Sequence, residues 1–139
     1  MFSGWLESPK IIKIGFDDVL TAIKYPNDYI IINTLSAIDQ DCLIKSTLPY
    51  NDEERLVNEL LTNYGYKAKT VIIYGKNAAD LTVEKKAKQL ISLGFNVVYL
   101  YVGGLFEWLL LQDTYGKSEF PTIGKPGDIL FYKPSLLFR

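Results

Sequence analysis

The sequence predicts an α/β domain in which a five-stranded parallel sheet is covered by helices on both faces. Three apolar runs, at 29–32, 71–74 and 97–101, are continuous and do not alternate with polar residues. A strand buried on both faces needs such a run, which is typical of parallel sheets. Between the runs, apolar residues recur with the period of a helix. This order favours a β/α alternation with right-handed crossovers.

Short apolar segments bounded by polar or turn residues mark the strands. Segment 42–48 has the least regular pattern, because Lys45 and Ser46 interrupt it. The predicted strands are 11–14, 29–34, 42–48, 70–74 and 97–101.

Four stretches carry helical periodicity. Asp17 and Asp18 favour the start of the first helix, and Gly65 and Gly94 predict the ends of the second and third. The fourth, at 105–111, is apolar nearly all round. The stripes of the first three are Phe16, Val19, Leu20 and Ile23, then Leu56, Val57, Leu60, Leu61 and Tyr64, then Val83, Ala87, Leu90 and Ile91.

The composition excludes most kinds of catalytic site. The 139 residues include no histidine, the commonest general base and transition-metal ligand. Fifteen basic and 16 acidic side chains give a net charge of −1, so no basic field attracts nucleic acid. We expect one domain over 1–139, with no metal, no cofactor and no nucleic-acid partner.

The sequence also predicts where the protein resides. The single cysteine, Cys42, cannot form an internal disulfide, and the segment 1–7 has neither a basic start nor an apolar run. No apolar stretch approaches the ~20 residues that span a bilayer. We therefore expect no membrane segment and a location in the cytoplasm or another reducing intracellular compartment.

The turn at 75–82 is the predicted place for a binding site, because ligands of such sheets bind outside the carboxyl ends of the strands. Successive backbone N–H groups and the helix dipole favour an anion there. Lys76 and Thr82 are the candidate anion-binding residues. The turn is not a phosphate-binding P-loop, because the second glycine and the following lysine of that motif are missing.

The chain from 70 onward resembles the second half of a rhodanese domain. In that family a strand ends at the catalytic cysteine, the next helix ends at Gly-Phe, and the next strand leads to Gly-Gly-hydrophobic-x-x-Trp. Here the strand at 70–74 precedes a helix that ends at Gly94-Phe95, and 103–108 reads Gly-Gly-Leu-Phe-Glu-Trp. The resemblance implies a rhodanese-like fold.

The upstream match retains fewer of the family's signature residues. Segment 29–35 resembles the family's strand that ends in Asp-x-Arg, and 41–49 resembles its Ile-Pro segment, with most signature residues changed. The resemblance covers about 10–112 and leaves 113–139 as an irregular C-terminal extension.

The loop departs from the family at the residues that perform the chemistry. The position of the persulfide-forming cysteine is Gly75, and on the phosphatase spacing C-x-x-x-x-x-R the arginine falls on Leu81. The resemblance therefore implies an inactive member that acts as a protein-interaction or structural module. We expect no catalytic residue in the loop, which consists of Gly75, Lys76, Asn77, Ala78, Ala79, Asp80 and Leu81.

Two alternatives remain open. One is a residual sulfurtransferase or phosphatase that uses Cys42, for which the thiol would need an exposed, electropositive setting. Its apolar neighbours Leu43 and Ile44 favour a buried structural thiol instead. The other alternative is anion sensing by the turn at 75–82.

Apolar residues near both ends of the chain predict a partner surface. The apolar helix at 105–111 needs a cover, either from the chain's own extension or from another protein. We expect the partner to be a protein, and a homo-oligomer is left open. The candidate partner-binding residues are Trp5, Phe120, Leu136, Leu137 and Phe138.

Overall fold

The structure is a computed structural model in which residues 8–63 and 69–138 are described. Strands and helices alternate along this part of the chain, as the periodicity predicts. Its strands are β1 (Lys10–Ile14), β2 (Tyr29–Asn33), β3 (Leu43–Ile44), β4 (Thr70–Tyr74), β5 (Val97–Tyr101) and β6 (Thr122–Ile123). Its α-helices are α1 (Phe16–Lys24), α2 (Glu53–Thr62), α3 (Thr82–Leu93) and α4 (Gly104–Tyr115). Short 3₁₀ helices lie at Tyr50–Asp52 and Ile129–Tyr132.

The main sheet has four parallel strands in the order β1-β5-β4-β2. Ile72 of β4 lies between Ile31 of β2 and Tyr99 of β5 in the register. Helices α1 and α4 pack on one face, and α2 and α3 pack on the other. This arrangement confirms the α/β class, and it explains why the strand residues of β2 and β4 are apolar at consecutive positions.

The strand count corrects the prediction, because the fifth expected strand is not part of the main sheet. Within 42–48 only Leu43–Ile44 is a strand, and it pairs antiparallel with Thr122–Ile123. No local pattern indicates this partner, because it lies about 80 residues further along the chain.

A turn explains why 42–48 cannot continue as a strand. Ser46 has a φ of 71°, and the backbone N–H of Thr47 donates to the Ile44 carbonyl at 3.1 Å. The chain then touches the main sheet at one parallel bridge between Thr47 and Ile31. The Leu48 N–H donates to the Ile31 carbonyl at 2.7 Å. One isolated bridge therefore replaces the expected fifth strand of the main sheet.

The C-terminal extension is also more regular than predicted. Helix α4 continues to Tyr115, and the chain then folds back along it. The indole N–H of Trp108 donates to the Pro121 carbonyl at 3.1 Å, and the Gln112 amide donates to the Phe120 carbonyl at 2.8 Å. The extension therefore covers the apolar helix within the same chain.

None of the helices in the described ranges is long and apolar enough to cross a membrane.

Candidate functional site

The loop 75–81 joins β4 to α3 at the carboxyl edge of the main sheet. Its first two carbonyls accept hydrogen bonds from the start of α4, from Leu105 N to Gly75 O at 2.9 Å and from Phe106 N to Lys76 O at 2.9 Å. N–H groups in the first turn of a helix have no partner within the helix. The Gly-Gly motif thus places the start of α4 directly against the loop.

Gly104 has to be a glycine for this contact to form. Its φ is +69°, and a Cβ there would lie 2.9 Å from both Asn77 N and Gly75 O. A side chain would therefore meet backbone atoms, which cannot rotate away. The second glycine of the family-like Gly-Gly sequence is thus explained by packing, independently of any chemistry in the loop.

The anion position of the loop is filled by the chain's own carboxylate. Asp80 Oδ2 accepts from Lys76 N at 2.9 Å. Asp80 Oδ1 accepts from Thr82 N at 3.0 Å and from Thr82 Oγ1 at 2.6 Å. These are the donors that a bound anion would use at a helix N-terminus. The predicted anion-binding residues Lys76 and Thr82 are therefore together, but their backbone N–H groups and the Thr82 hydroxyl already bind Asp80.

Gly75 has neither a side chain nor room for one. A Cβ at this position would lie 2.5 Å from Asp80 Oδ2, 2.5 Å from Val83 Cγ2 and 2.9 Å from Thr34 Oγ1. Non-bonded carbon contacts are favourable at about 3.5–4.0 Å, so all three neighbours would have to move. Asp80 therefore occupies part of the space that a side chain at position 75 would need.

The side chain of Lys76 points away from the loop interior. Its Nζ lies 4.1 Å from the centroid of the Phe131 ring, in the geometry of a cation–π contact. Leu81, where the phosphatase spacing would put an arginine, is 82% exposed. Neither residue offers a positive charge to a group held in the loop.

Asn77 ties the loop to the C-terminal extension. Its side-chain amide, which is buried, donates to the Tyr132 carbonyl at 2.9 Å. Its Oδ1 accepts from Ala79 N at 2.9 Å. Because Tyr132 itself is buried, the 3₁₀ helix Ile129–Tyr132 is fixed beside the loop. The sequence contained no signal for this link, which joins residues 55 positions apart.

Cys42 lacks the setting of a reactive cysteine. The side chain is buried, and burial raises the pKa of its thiol; a hydrogen bond with Thr122 and the charge of Lys117 offset this only in part. The thiolate is the nucleophile in cysteine chemistry, so a raised pKa opposes reaction. Cys42 directly precedes β3 and packs within the core on the α1 and α4 face.

Tyr74, the residue before the loop, closes a ring of hydrogen bonds. Its hydroxyl accepts from Ile44 N at 3.1 Å and lies 2.7 Å from Thr47 Oγ1. Thr47 Oγ1 donates to the Ile44 carbonyl at 2.5 Å, so the Tyr74 hydroxyl is the donor to Thr47. Complete burial raises the pKa of Tyr74. A tyrosine at the end of an otherwise apolar buried strand is the sequence signal for such a partner.

Tyr101 ends β5 at the same edge of the sheet. Its hydroxyl donates to Glu107 Oε1 at 2.7 Å, and burial, followed by the bond and charge of Glu107, raises its pKa. The ring also packs edge-on against Trp108, with centroids 6.1 Å apart. Glu107 and Trp108, which belong to the motif at 103–108, thus both contact Tyr101.

The free space near the loop is a cleft of about 530 Å³ between the starts of α2 and α3. Thr34 and Thr82 separate it from Gly75. Inside the cleft Lys86 and Glu53 pair with each other, so opposite charges neutralise one another. Within the described ranges, no group of three or more metal-ligating side chains could hold a metal ion.

The candidate partner-binding residues are placed very differently. Phe120 is buried against Trp108 and Phe16, which corrects its assignment as an exposed docking residue. It is an apolar anchor for the extension, and this explains why the sequence made it conspicuous. Leu136, Leu137 and Phe138 are 80%, 83% and 80% exposed. Trp5 lies outside the described residues.

No protein-family model matches the chain, and no curated protein is similar enough to count as a match. Solved structures do match it. The BH2092 protein of Bacillus halodurans is 25% identical, with a TM-score of 0.57 over 81% of this chain and 77% of that one. The Alr3790 protein of Anabaena sp. is 20% identical, with a TM-score of 0.55 over 80% of this chain and 91% of that one.

A third solved structure connects the fold to a family. Ygr203w of Saccharomyces cerevisiae is a homolog of single-domain rhodanese and of the Cdc25 phosphatase catalytic domain. It is 12% identical to this chain, with a TM-score of 0.57 over 82% of this chain and 88% of that one. The resemblance inferred from the Gly-Phe and Gly-Gly…Trp signals is confirmed at the level of structure: the chain has a rhodanese-like fold.

Proposed function

We propose that this chain is a non-catalytic rhodanese-like module that acts by binding another protein. The observation that carries the first part is the Asp80 carboxylate, which occupies the loop beside Gly75. Sulfur or phosphoryl transfer through such a loop needs an attacking atom and free donors for the transferred group. The loop supplies no attacking atom at Gly75, and two of its donors, Lys76 N and Thr82 N, already bind Asp80.

The binding role is supported by an apolar C-terminal surface, which we define as Leu130, Phe131, Leu136, Leu137 and Phe138. Each of these side chains is at least 51% exposed. Large apolar groups gathered within nine residues are typical of protein interfaces, where aromatic side chains are enriched.

This apolar C-terminal surface adjoins the silent loop. Lys76 of the loop packs over the Phe131 ring, and Asn77 binds the Tyr132 carbonyl. A partner seated on Phe131 would therefore also meet the loop. In this proposal the residues that a rhodanese uses for chemistry position a docking surface instead.

An activity assay tests the non-catalytic part. Purified protein with thiosulfate and cyanide should form no thiocyanate above the blank, and the Cys42→Ser variant should behave identically. Turnover in the natural chain that disappears in Cys42→Ser would establish the enzymatic alternative. The exchange retains the size of the side chain, so loss of activity could be separated from unfolding by a melting curve.

A capture experiment tests the binding part. The intact chain should retain a specific protein that is lost when the chain ends at Lys133 and when Leu137 is replaced by Asp. Leu93→Asp is the matched control, because Leu93 is 49% exposed and ends α3, which packs on the opposite face of the main sheet from α4 and the extension. Equal capture by all four proteins would refute the assignment of the apolar C-terminal surface.

Anion sensing by the loop is the second candidate, and it requires Asp80 to leave its position. Specific binding of an anion raises the melting temperature. We expect sulfate or phosphate to have no effect on the natural chain and to stabilise Asp80→Ala, in which Lys76 N and Thr82 N are freed. A saturable increase in the natural chain would favour the sensing function.

A further inference from the structure

A separate cavity of about 250 Å³ lies on the α1 face of the main sheet, toward the amino ends of β2 and β4. It is therefore away from the loop 75–81, which leaves the carboxyl end of β4. Its walls include Asp18 and Thr21 of α1 and Tyr29, Thr70, Ile72 and Tyr99 of the sheet.

The strand register determines which side chains form these walls. Tyr29 pairs with Thr70, and Tyr99 pairs with Ile72. Thr70 and Ile72 are two residues apart on β4 and so point to the same face. The two tyrosines therefore stand on either side of β4, with the aliphatic side chain of Ile72 between them. Both pack against the core that also contains helix α1.

Helix α1 adds a negative charge to the cavity through Asp18, which, like Thr21, is exposed to solvent. Asp18 and Thr21 are three residues apart, so they lie on the same side of the helix. Among the described residues, nothing forms an ion pair or a hydrogen bond with the Asp18 carboxylate or with the hydroxyls of Tyr29 and Tyr99. The cavity is thus lined by two half-buried tyrosine rings and by one exposed carboxylate that has no counter-ion among the described residues.

This combination of groups favours an organic cation. The faces of tyrosine rings attract a cation, most strongly one that is weakly hydrated. An alkylated ammonium group needs no hydrogen-bond acceptor, and its methyl groups match the side chains of Ile72 and Thr70. A cavity of 250 Å³ has the volume of about eight water molecules, at ~30 Å³ each, which is enough for such a headgroup.

We propose that this cavity, bounded by Tyr29, Tyr99 and Asp18, binds a trimethylammonium group. The group occurs on small molecules such as choline and on methylated lysine side chains of proteins. The site does not depend on the apolar C-terminal surface or on the loop, so it goes beyond the binding function proposed above.

Titration with choline tests the proposal directly. Ring proton shifts of Tyr29 and Tyr99 should change saturably by nuclear magnetic resonance. The neutral carbon isostere 3,3-dimethylbutan-1-ol, which has the same shape without the charge, should bind about tenfold more weakly or worse. A peptide with one trimethyllysine, compared with its unmethylated form, distinguishes a protein ligand from a small molecule by which probe binds more tightly.

Two neighbouring carboxylates supply matched variants. Asp18→Asn should weaken choline binding about fivefold or more, because it removes the charge and retains the shape. Asp17→Asn, one residue earlier on α1 and absent from the cavity walls, should leave the affinity unchanged. Both variants should lower the melting temperature slightly and to the same extent, because each removes a charge that stabilises the first turn of α1 and neither carboxylate has a side-chain bond in the described part of the chain.

Three results would overturn the proposal. The first is the lack of saturable shifts with either choline or the trimethyllysine peptide. The second is equal affinity for choline and its neutral isostere, which would indicate an apolar pocket without selectivity for charge. The third is an equal loss of affinity in Asp17→Asn and Asp18→Asn, which would indicate a general field of the acidic helix start.

Discussion

The carboxylate of Asp80 lies 2.5 Å from the position that a Cβ on Gly75 would take. It is held there by three donors, from Lys76 N, Thr82 N and Thr82 Oγ1. The two residues constrain each other, because a side chain at 75 would displace the carboxylate and leave those donors without an acceptor. The glycine at position 75 and the position of the Asp80 carboxylate therefore depend on each other.

Gly75→Cys should destabilise the protein by about 1–3 kcal/mol, because the new atoms collide with Asp80, Val83 and Thr34. The free energy of unfolding in urea measures this. Gly127→Cys is the control, since nothing lies within 4 Å of a Cβ there. In a double-mutant cycle, Gly75→Cys should lower the free energy of unfolding by less in the Asp80→Ala background than in the natural chain. Strictly additive effects would show that Asp80 does not fill the site.

Tyr74→Phe should lower the free energy of unfolding by about 1–3 kcal/mol, because Ile44 N and Thr47 Oγ1 remain buried and lose the Tyr74 hydroxyl as a hydrogen-bond partner. Chemical denaturation of the two proteins gives the difference. Tyr25→Phe removes a hydroxyl from a side chain that is 56% exposed and should change stability very little. Equal effects of the two exchanges would contradict the hydrogen-bond ring.

Stability should fall as the pH rises above about 10. Burial raises the pKa values of Tyr74, Tyr101 and Tyr132 above the ordinary value of 10.0. The unfolded chain then releases these protons at lower pH than the folded chain does. The resulting stabilisation is fully present below pH 10 and is lost as the pH increases further.

Urea unfolding between about pH 9 and pH 11 measures this loss of stability. Tyr101→Phe removes one of the three groups, so its stability should decline less steeply with pH than that of the natural chain. Parallel curves for the two proteins would show that Tyr101 ionises equally in both states.

Cys42 should resist modification while the chain is folded. Its burial and raised pKa keep the thiol protonated, so a thiol reagent at neutral pH should react more slowly than in urea by on the order of a hundredfold. The rate of modification is measured from the absorbance of the coloured thiolate that an aromatic disulfide reagent releases. Fast native labelling, equal to that in urea, would reopen the enzymatic alternative.

Much of the fold was predictable, because the relevant signals are local. The continuous apolar runs at 29–32 and 71–74 indicated strands buried on both faces, and the structure places them side by side in the main sheet. Gly94 was expected to end α3, and it follows Leu93 with a φ of 126°. The prediction was wrong at 42–48, where a turn at Ser46 and pairing with β6 replace the fifth strand.

The sequence predicted where the candidate loop lies, at the carboxyl edge of the main sheet, but not which groups contact one another within it. That Gly75 takes the nucleophile's position is implied by the resemblance to rhodanese domains and stays a prediction. That Asp80 fills part of the space beside it was not predictable, because an acidic residue in a loop is usually solvated. Phe120 shows the converse error: an apolar residue in the extension suggested a partner, yet Trp108 and Phe16 of the same chain bury it.

The amino-acid order by itself determined the alternation of strands and helices, the edge of the sheet where the loop lies, and the lack of an attacking atom at 75. These follow from periodicity and residue type, which act over a few neighbouring positions. Tertiary structure alone decided which groups bind Lys76 N and Thr82 N, which apolar side chains remain exposed at 136–138, and which side chains line one cavity with Asp18. Those outcomes depend on contacts between segments that are far apart in the sequence, and a local sequence pattern does not determine how such segments pack against each other.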